Sequence, residues 1–256
     1  MVSGILPITL EDATKATRAF LFSGKEYICL MQLHDDIKED KLRKVLKEFI
    51  GEIYQRPPLR ASVKRVLRKR TIYDIDIMEI EDRLALFKVT CESGTYIRKL
   101  CSDIGDVLGC GAHMRELRRT RAGPFTESEG ITTLYDLLDA TTTHKEKGDE
   151  DKLRKAIFPV EKAFDHMPKI YVKDSTVDSI CHGASLAAPG IVKLTSGIEK
   201  GQTVALFTLK EEVIAIAEAL ESSEGMVEKD SGLMAKTDRV IMLAGTYPKM
   251  WGKDNS

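Results

Sequence analysis

No stretch of about 18 uninterrupted apolar residues occurs in the 256-residue sequence, which excludes a membrane-spanning helix. The opening MVSGILPITLEDATK has no basic stretch, no sustained apolar block and no small-residue cleavage site, so it is not a secretory signal, and a soluble, cytoplasmic protein is expected. An even cysteine framework is also missing: the five cysteines (Cys29, Cys91, Cys101, Cys110, Cys181) are an odd number, and reduced thiols are expected. There is no Walker loop, no nucleophile elbow, no zinc-helix motif and no solenoid-length repeat. Cys101, Cys110 and His113 come nearest to a metal cluster, but their gaps match no common finger; core cysteines and a histidine that is packed or supports another group are expected instead, with no metal. GCGAH follows a helix and not a strand, so it is no dinucleotide fingerprint. What is present is globular in character: 43% hydrophobic and 31% charged residues, with a length that allows one large domain or two modest ones.

A net charge of -1, from 39 basic and 40 acidic residues, argues against nucleic acid only if the charge is evenly spread. It is segregated. Between Arg56 and Arg70 lie seven basic residues (Arg56, Arg60, Lys64, Arg65, Arg68, Lys69, Arg70) and no acidic one, and a second knot comprises Arg115, Arg118, Arg119 and Arg121. Acidic stretches at Glu146 to Asp151 and Glu218 to Asp230 offset them. Such runs fit either a solvated face or a phosphate-binding surface, and the Pro-Pro in QRPPLRASVKRVLRKR stiffens the loop in a way that suits the second.

Thr9, ahead of LEDATKATRAFLF and with Gly24 beyond it, reads as the cap of a helix. KEYICLMQLH reads as a strand; Leu42, Val45, Leu46, Phe49 and Ile50 recur at helical spacing up to Gly51. TIYDIDIMEIE and RLALFKVTCE form an expected hairpin across Glu81 and Asp82. A helix marked by Ile97, Leu100, Cys101, Ile104 and Leu108 closes at Gly109; HMRELRRTRAG is a candidate strand and Thr133 to Leu138 a short helix. THKEKGDEDK (143–152) reads as an exposed loop or hinge, and short β-type runs beyond Pro168, separated by Gly and Pro turns, as a small β-barrel. The expected division is 1–168 and 169–250, in an α+β fold: a mixed, mainly antiparallel sheet with flanking helices, then the barrel.

In SGTYIRKL, Tyr96 and Arg98 open a helix whose N–H groups and dipole favour a negative partner. Arg98 there can hold a carboxylate and lower its pKa, or can be a surface arginine on an ordinary helix start.

SGTYIRKLCSDIGDVLGCGAHMRELRRTRAGPF resembles the third signature block of the TruB/dyskerin pseudouridine synthases. QRPPLRASVKRVLRKRTIY is similar to the segment typical of the dyskerin branch, especially its archaeal members; KEYICL matches the family's Lys-x-Tyr strand, and HGASLAAPGI with KGQTVALF resembles a PUA domain. The resemblance implies isomerisation of a uridine within RNA, without metal or redox cofactor: the N-glycosidic bond breaks, the uracil turns and a carbon–carbon bond forms. The base must leave its stack and meet a carboxylate nucleophile held by a cation. On matching positions, Tyr27 would stack on the flipped base and assist proton transfer, Arg98 would pair with the catalytic Asp, Leu117 would line the pocket floor and Tyr96 would support its wall. Arg56, Lys64, Arg65, Arg68, Arg118, Arg119 and Arg121 would meet RNA. Implied partners are transfer RNA, box H/ACA guide RNA and the small proteins of H/ACA ribonucleoproteins, with no membrane.

The sequence departs from the family at its nucleophile. The catalytic Asp belongs to a block Gly-x-Leu-Asp-x-x-(Val/Ala)-(Thr/Ser)-Gly-x-Leu-Pro, of which only Val2-Ser3-Gly4-Ile5-Leu6-Pro7 is present. Counted back from Val2, the Asp would fall two residues before Met1, and Asp12, Asp103 and Asp106 lie outside the motif. The expectation is therefore an N-terminally truncated synthase with an incomplete catalytic fold, inactive as written. The alternative is a non-catalytic RNA-binding remnant or scaffold; a small-molecule enzyme lacks any phosphate or cofactor loop to support it.

Overall fold

The computed structural model describes residues 2–57 and 64–249; Arg60 of the basic run lies outside the described residues. In chain order come β1 (Val2–Gly4), a 3₁₀ turn running into α1 (Thr17–Leu21), β2 (Lys25–Leu33), α2 (Glu39–Glu48), β3 (Gly51–Gln55), β4 (Arg68–Glu81), β5 (Leu84–Cys91), α3 (Ile97–Leu108), β6 (Ala112–Ala122) and β7 (Phe125–Thr126). There follow α4 (Leu134–Lys147), α5 (Asp151–Ala156), β8 (Lys169–Val172), α6 (Asp174–Cys181), β9 (Leu186–Ala187), β10 (Ile191–Leu194), β11 (Thr203–Phe207), β12 (Val213–Ala219), α7 (Ser223–Glu228) and β13 (Leu233–Val240). Two compact units result: Met1–Pro7 with Leu21–Thr133, and Ile8–Phe20 with Leu134–Ser256.

The first unit is a seven-stranded sheet, ordered β1-β6-β2-β5-β4-β3 with β7 on β6, antiparallel throughout except where β1 runs parallel to β6. One face of β2 and β5 buries Cys29, Met31, Leu33, Ala85, Phe87, Val89 and Cys91 against the apolar stripes of α2 (Leu42, Val45, Leu46) and α3 (Ile97, Leu100, Cys101, Ile104, Leu108), which is the core the helical and strand periodicities require. The β4–β5 hairpin turns at Asp82 and Arg83, one residue beyond the expected pair, with Asp82 in the left-handed region at φ 50° that Asp tolerates. α3 ends on Gly109 at φ 79°, as its sequence position predicts. Gly4, at φ 94°, lets β1 lie directly on β6, since a Cβ there would stand 2.1 Å from the Arg119 carbonyl oxygen.

The second unit centres on a six-stranded near-barrel ordered β10-β8-β11-β12-β13-β9, in which only β8 and β11 pair in parallel. Ile170, Val172, Leu206, Ile214, Ala217 and Met234 fill its core, joined by Val177 and Ile180 from α6, a helix the sequence reading did not anticipate. Division by compactness falls after Thr133, so α4 and α5, expected on the first side of residue 168, group with the barrel.

Two local expectations are corrected. Residues 143–152 are no loop: α4 runs to Lys147 and α5 begins at Asp151, leaving only 148–150 between them. The stretch is core-free because it is solvated, but Lys and Glu favour helix, and the break comes at Gly148, where φ is 68°. Thr9 is not a cap; its hydroxyl pairs with that of Thr17 at 3.2 Å, and Leu10 precedes the 3₁₀ turn at Glu11–Ala16 without any side-chain cap.

Candidate active site and RNA interface

β2 lies between β5 and β6, so each of its residues is flanked on both sides. Tyr27 stands opposite Val89 and Arg119, Cys29 opposite Phe87 and Leu117, and Lys25 opposite Cys91 and Ala122. Tyr27 and Leu117 are half-buried and pack on the core. Burial pushes the Tyr27 phenol above its ordinary 10.0, Cys91 adds to the rise, and Arg119 opposes it through its charge and a hydrogen bond. The phenol therefore stays protonated at neutral pH. Arg119 also donates Nε–H to the Ile5 carbonyl at 2.8 Å, while the Ile5 N–H donates to the Arg119 carbonyl at 2.9 Å, so this arginine fixes both the tyrosine and the chain leaving β1. Lys25 donates to the carbonyls of Leu21 and Ser23 at 3.0 and 2.7 Å; burial, then Arg119, lowers its pKa.

α3 brings the second part of the site. Ile97 anchors its first turn in the core while Arg98 stands exposed and makes no ion pair with a carboxylate among the described residues. Cys101, one turn on from Arg98, meets Cys29, two residues on from Tyr27, with their Sγ atoms 3.5 Å apart. That buried contact sets the register between the strand of Tyr27 and the helix of Arg98; the hydrogen bond with Cys29 and burial both push the Cys101 thiol up. The backbone of Tyr96 is held by a residue that the sequence reading passed over. Gln55, buried at the end of β3, accepts the Tyr96 N–H at 2.9 Å and donates to the Tyr96 carbonyl at 3.2 Å. No periodicity marks Gln55; only its place before the Pro-Pro loop does.

Cys101, Cys110 and His113 do not converge. Cys110 donates to the Gly111 carbonyl at 3.3 Å, and His113, expected to be packed or to support another group, is exposed with Nδ1 2.9 Å from Nε2 of His34. Among the described residues no three or more His, Cys, Asp or Glu form a metal-holding group.

The basic residues separate by what they already hold. Arg56, Lys64 and Arg65 are exposed; Arg65 Nε lies 3.4 Å from the Pro57 carbonyl. Arg56 and Arg65 line an open hollow of about 430 Å³ with Tyr54, Pro57, Leu67, Lys99 and Asp103, an exposed aromatic among cations of the kind that stacks bases and meets phosphates. Arg68 and Arg121 are half-buried, and so is Arg119. Arg118 is exposed but forms a two-point ion pair with Glu127, which a run of basic letters could not reveal.

Comparison with known proteins divides the chain by family, not by the compact units, since the match at 98–165 crosses from one unit into the other. Residues 1–97 match the TruB family pseudouridylate synthase N-terminal domain, 98–165 the tRNA pseudouridylate synthase B C-terminal domain and 168–241 the PUA domain. Together these matches define the class as an RNA-modifying synthase with a PUA domain, and the chain belongs to the TruB family of pseudouridylate synthases, which are isomerases. Among its relatives, the probable tRNA pseudouridine synthase B of Methanosarcina barkeri is 54% identical over 252 residues, covering 98% of this chain and 74% of that protein. The corresponding Pyrococcus furiosus protein is 53% identical over 252 residues, with 98% and 74% covered. A solved Cbf5-Nop10-Gar1 complex matches with a TM-score of 0.92 and 53% identity over 97% of this chain and 76% of the other; an H/ACA RNP bound to a substrate RNA containing 2'-deoxyuridine matches at 0.91 and 50%, over 98% and 76%.

Proposed function

We propose that this chain handles uridine in transfer RNA and in guide-directed ribosomal RNA, with Tyr27, Tyr96, Arg98 and Leu117 around the reacting base in the 1–168 part and the 169–250 module also binding RNA. The contact that carries the reading is Cys29 with Cys101, because it aligns the Tyr27 strand and the Arg98 helix over one sheet face. Tyr27, protonated and fixed by Arg119, offers a ring to stack on an extruded base and a hydroxyl to pass a proton. Arg98, exposed at the helix opening, is placed to hold a carboxylate ionised and aimed, and Leu117 beside Cys29 supplies an apolar floor. Arg56, Lys64, Arg65 and Arg68, with Arg121, give a cationic approach for the phosphates, to which Arg118 and Arg119 add charge while engaged with Glu127 and with Ile5 and Tyr27.

The relatives' names support transfer RNA as a substrate, and the H/ACA complexes among the solved neighbours support guide RNA with small proteins of the Nop10 and Gar1 kind as partners. A cytoplasmic site of action goes with these partners, and no helix among the described residues is long and apolar enough to cross a membrane. A polypeptide of these 256 residues contains the tail VSGILP of the nucleophile block but no Gly-x-Leu-Asp, and taken by itself it binds RNA without isomerising it, as the alternative of an RNA-binding scaffold also requires. The test is release of tritium from RNA carrying [5-³H]uridine. The 256-residue polypeptide should bind that RNA in a salt-dependent manner and release none; sustained release would show that another residue supplies the nucleophile.

A further inference from the structure

We propose that Gln55 is a positioning residue for the uridine site, acting through the main chain of Tyr96 on the turn that presents Tyr96 and Arg98; the proposal rests on the function argued above. Gln55 is 1% exposed, one of few polar residues buried this fully, and a carboxamide is buried only where its donor and acceptor are both used. Here both are used on the main chain of one residue: Oε1 accepts the Tyr96 N–H at 2.9 Å and Nε2 donates to the Tyr96 carbonyl at 3.2 Å. That carbonyl also accepts the first helical bond of α3, from Leu100 N–H at 2.9 Å, so Gln55 holds the joint between turn and helix. Tyr96 is the N-cap of α3, at φ -95° and ψ 98°, with no side-chain cap of its own. The turn before it is fastened separately. Glu92 N–H donates to Thr71 carbonyl at 2.8 Å and Glu92 Oε2 accepts Thr71 N–H at 3.0 Å, while Thr95 Oγ1 donates to Glu92 carbonyl at 2.7 Å. Gln55 therefore fixes the direction of two side chains and not the existence of the turn.

The geometry explains the residue type. Glutamate could accept the N–H but would set an oxygen against the carbonyl, methionine would fill the space and satisfy neither group, and asparagine is one methylene too short. The chain segment that carries Gln55 also runs directly into Arg56 and the hollow of Tyr54 and Arg65, so a single residue links the phosphate-facing loop to the helix that bears Arg98.

The test compares the 256-residue chain with its Gln55→Met variant on two RNA hairpins that differ only in uridine or cytidine at an unpaired position, by fluorescence anisotropy, alongside amide hydrogen exchange. Wild type should prefer the uridine hairpin, and Gln55→Met should lose that preference by about tenfold while its affinity for the cytidine hairpin is unchanged and its melt stays cooperative at a lower midpoint, because the buried Tyr96 N–H loses its partner. Tyr96 N–H should exchange slowly in wild type and at least about tenfold faster in the variant, with amides of β2 unaffected. An unchanged preference in Gln55→Met overturns the positioning role. Where the variant does not fold, fast Tyr96 exchange in wild type overturns it and slow exchange supports it. A wild-type chain without any uridine preference defeats the uridine-site reading itself, and the Gln55 proposal with it, a result distinguished by the wild-type hairpins alone.

Discussion

Replacing Gly105 by alanine tests whether α3 is seated directly on the start of β6. In most helix interiors that change stabilises by about 1 kcal/mol, because glycine loses more backbone entropy. At Gly105 a Cβ would lie 2.1 Å from Ala112 N, 2.5 Å from Gly111 C and 2.7 Å from Ala112 Cβ. These are main-chain atoms and the first side-chain carbon, not the flexible end of a residue. The backbone is also held there: the Gly105 carbonyl accepts Gly109 and Gly111 N–H at 3.1 and 3.0 Å, and the Gly111 carbonyl accepts His34 N–H at 3.0 Å. Restoring van der Waals distance would move helix or strand by about an ångström, and overpacking of this kind costs roughly 1–3 kcal/mol or more, which outweighs the propensity gain. Net of that gain, a loss of up to about 2 kcal/mol should lower Tm by up to roughly 4–8 °C in calorimetry of the intact chain. Gly109 is the control. It has φ 79° and nothing within 4 Å of where a Cβ would stand, so alanine there costs about 1 kcal/mol through backbone conformation and asparagine recovers part of it. Asparagine at 105 should be worse than alanine. A Gly105→Ala protein that melts at or above the wild-type temperature would refute the packing argument.

Removing the Arg119 charge, as in Arg119→Leu, should raise the Tyr27 phenol further, since Arg119 opposes the effect of burial; the phenolate absorbance lost in Tyr27→Phe identifies the group, and a fall would contradict the assignment. Because Tyr27 is a weaker acid folded than its ordinary 10.0, the stability it lends is complete below pH 10 and is lost as pH rises through the folded value, so Tyr27→Phe should flatten alkaline denaturation there. Glu127→Gln should release exposed Arg118 to phosphate and steepen the salt dependence of RNA binding by a slope of about 0.7–0.9 with little change in Tm; an unchanged slope would place Arg118 away from RNA. Half-exposed Cys110 and Cys181 should react first with a thiol reagent, whereas Cys29, Cys91 and Cys101 should wait for unfolding, Cys91 being held at about 11 by burial; early labelling of Cys91 would contradict the core described above.

Long periodic elements were legible because burial on one face imposes their pattern: α2, α3, β2 and the β4–β5 hairpin stand where Leu42, Ile97, Tyr27 and Ile75 predict them. β1 and β3 were not, since three and five residues are too few for a period and their pairing is non-local: Gly4 lies beside Arg119, and Gln55 beside Arg68. Charge was legible as a patch but not as chemistry. Arg118, Arg119 and Arg70 read alike, yet the first pairs with Glu127, the second holds Ile5 and Tyr27, and the third meets Glu92 at 3.2 Å. The proposed site residues came from motif resemblance, while Gln55, which bonds the Tyr96 main chain, gives no signal until its partner across the fold is seen.

Tyr27, Leu117 and Arg98 are proposed to receive a uridine. The most direct measurement is the affinity of the 256-residue chain and of its Tyr27→Ala variant for hairpins with unpaired uridine or cytidine, at one fixed salt concentration. Wild type should prefer uridine, and Tyr27→Ala should abolish that preference while cytidine-hairpin binding persists, stacking on one aromatic being worth about 1–3 kcal/mol. Equal binding of both hairpins by wild type, or a preference that survives Tyr27→Ala, would contradict it.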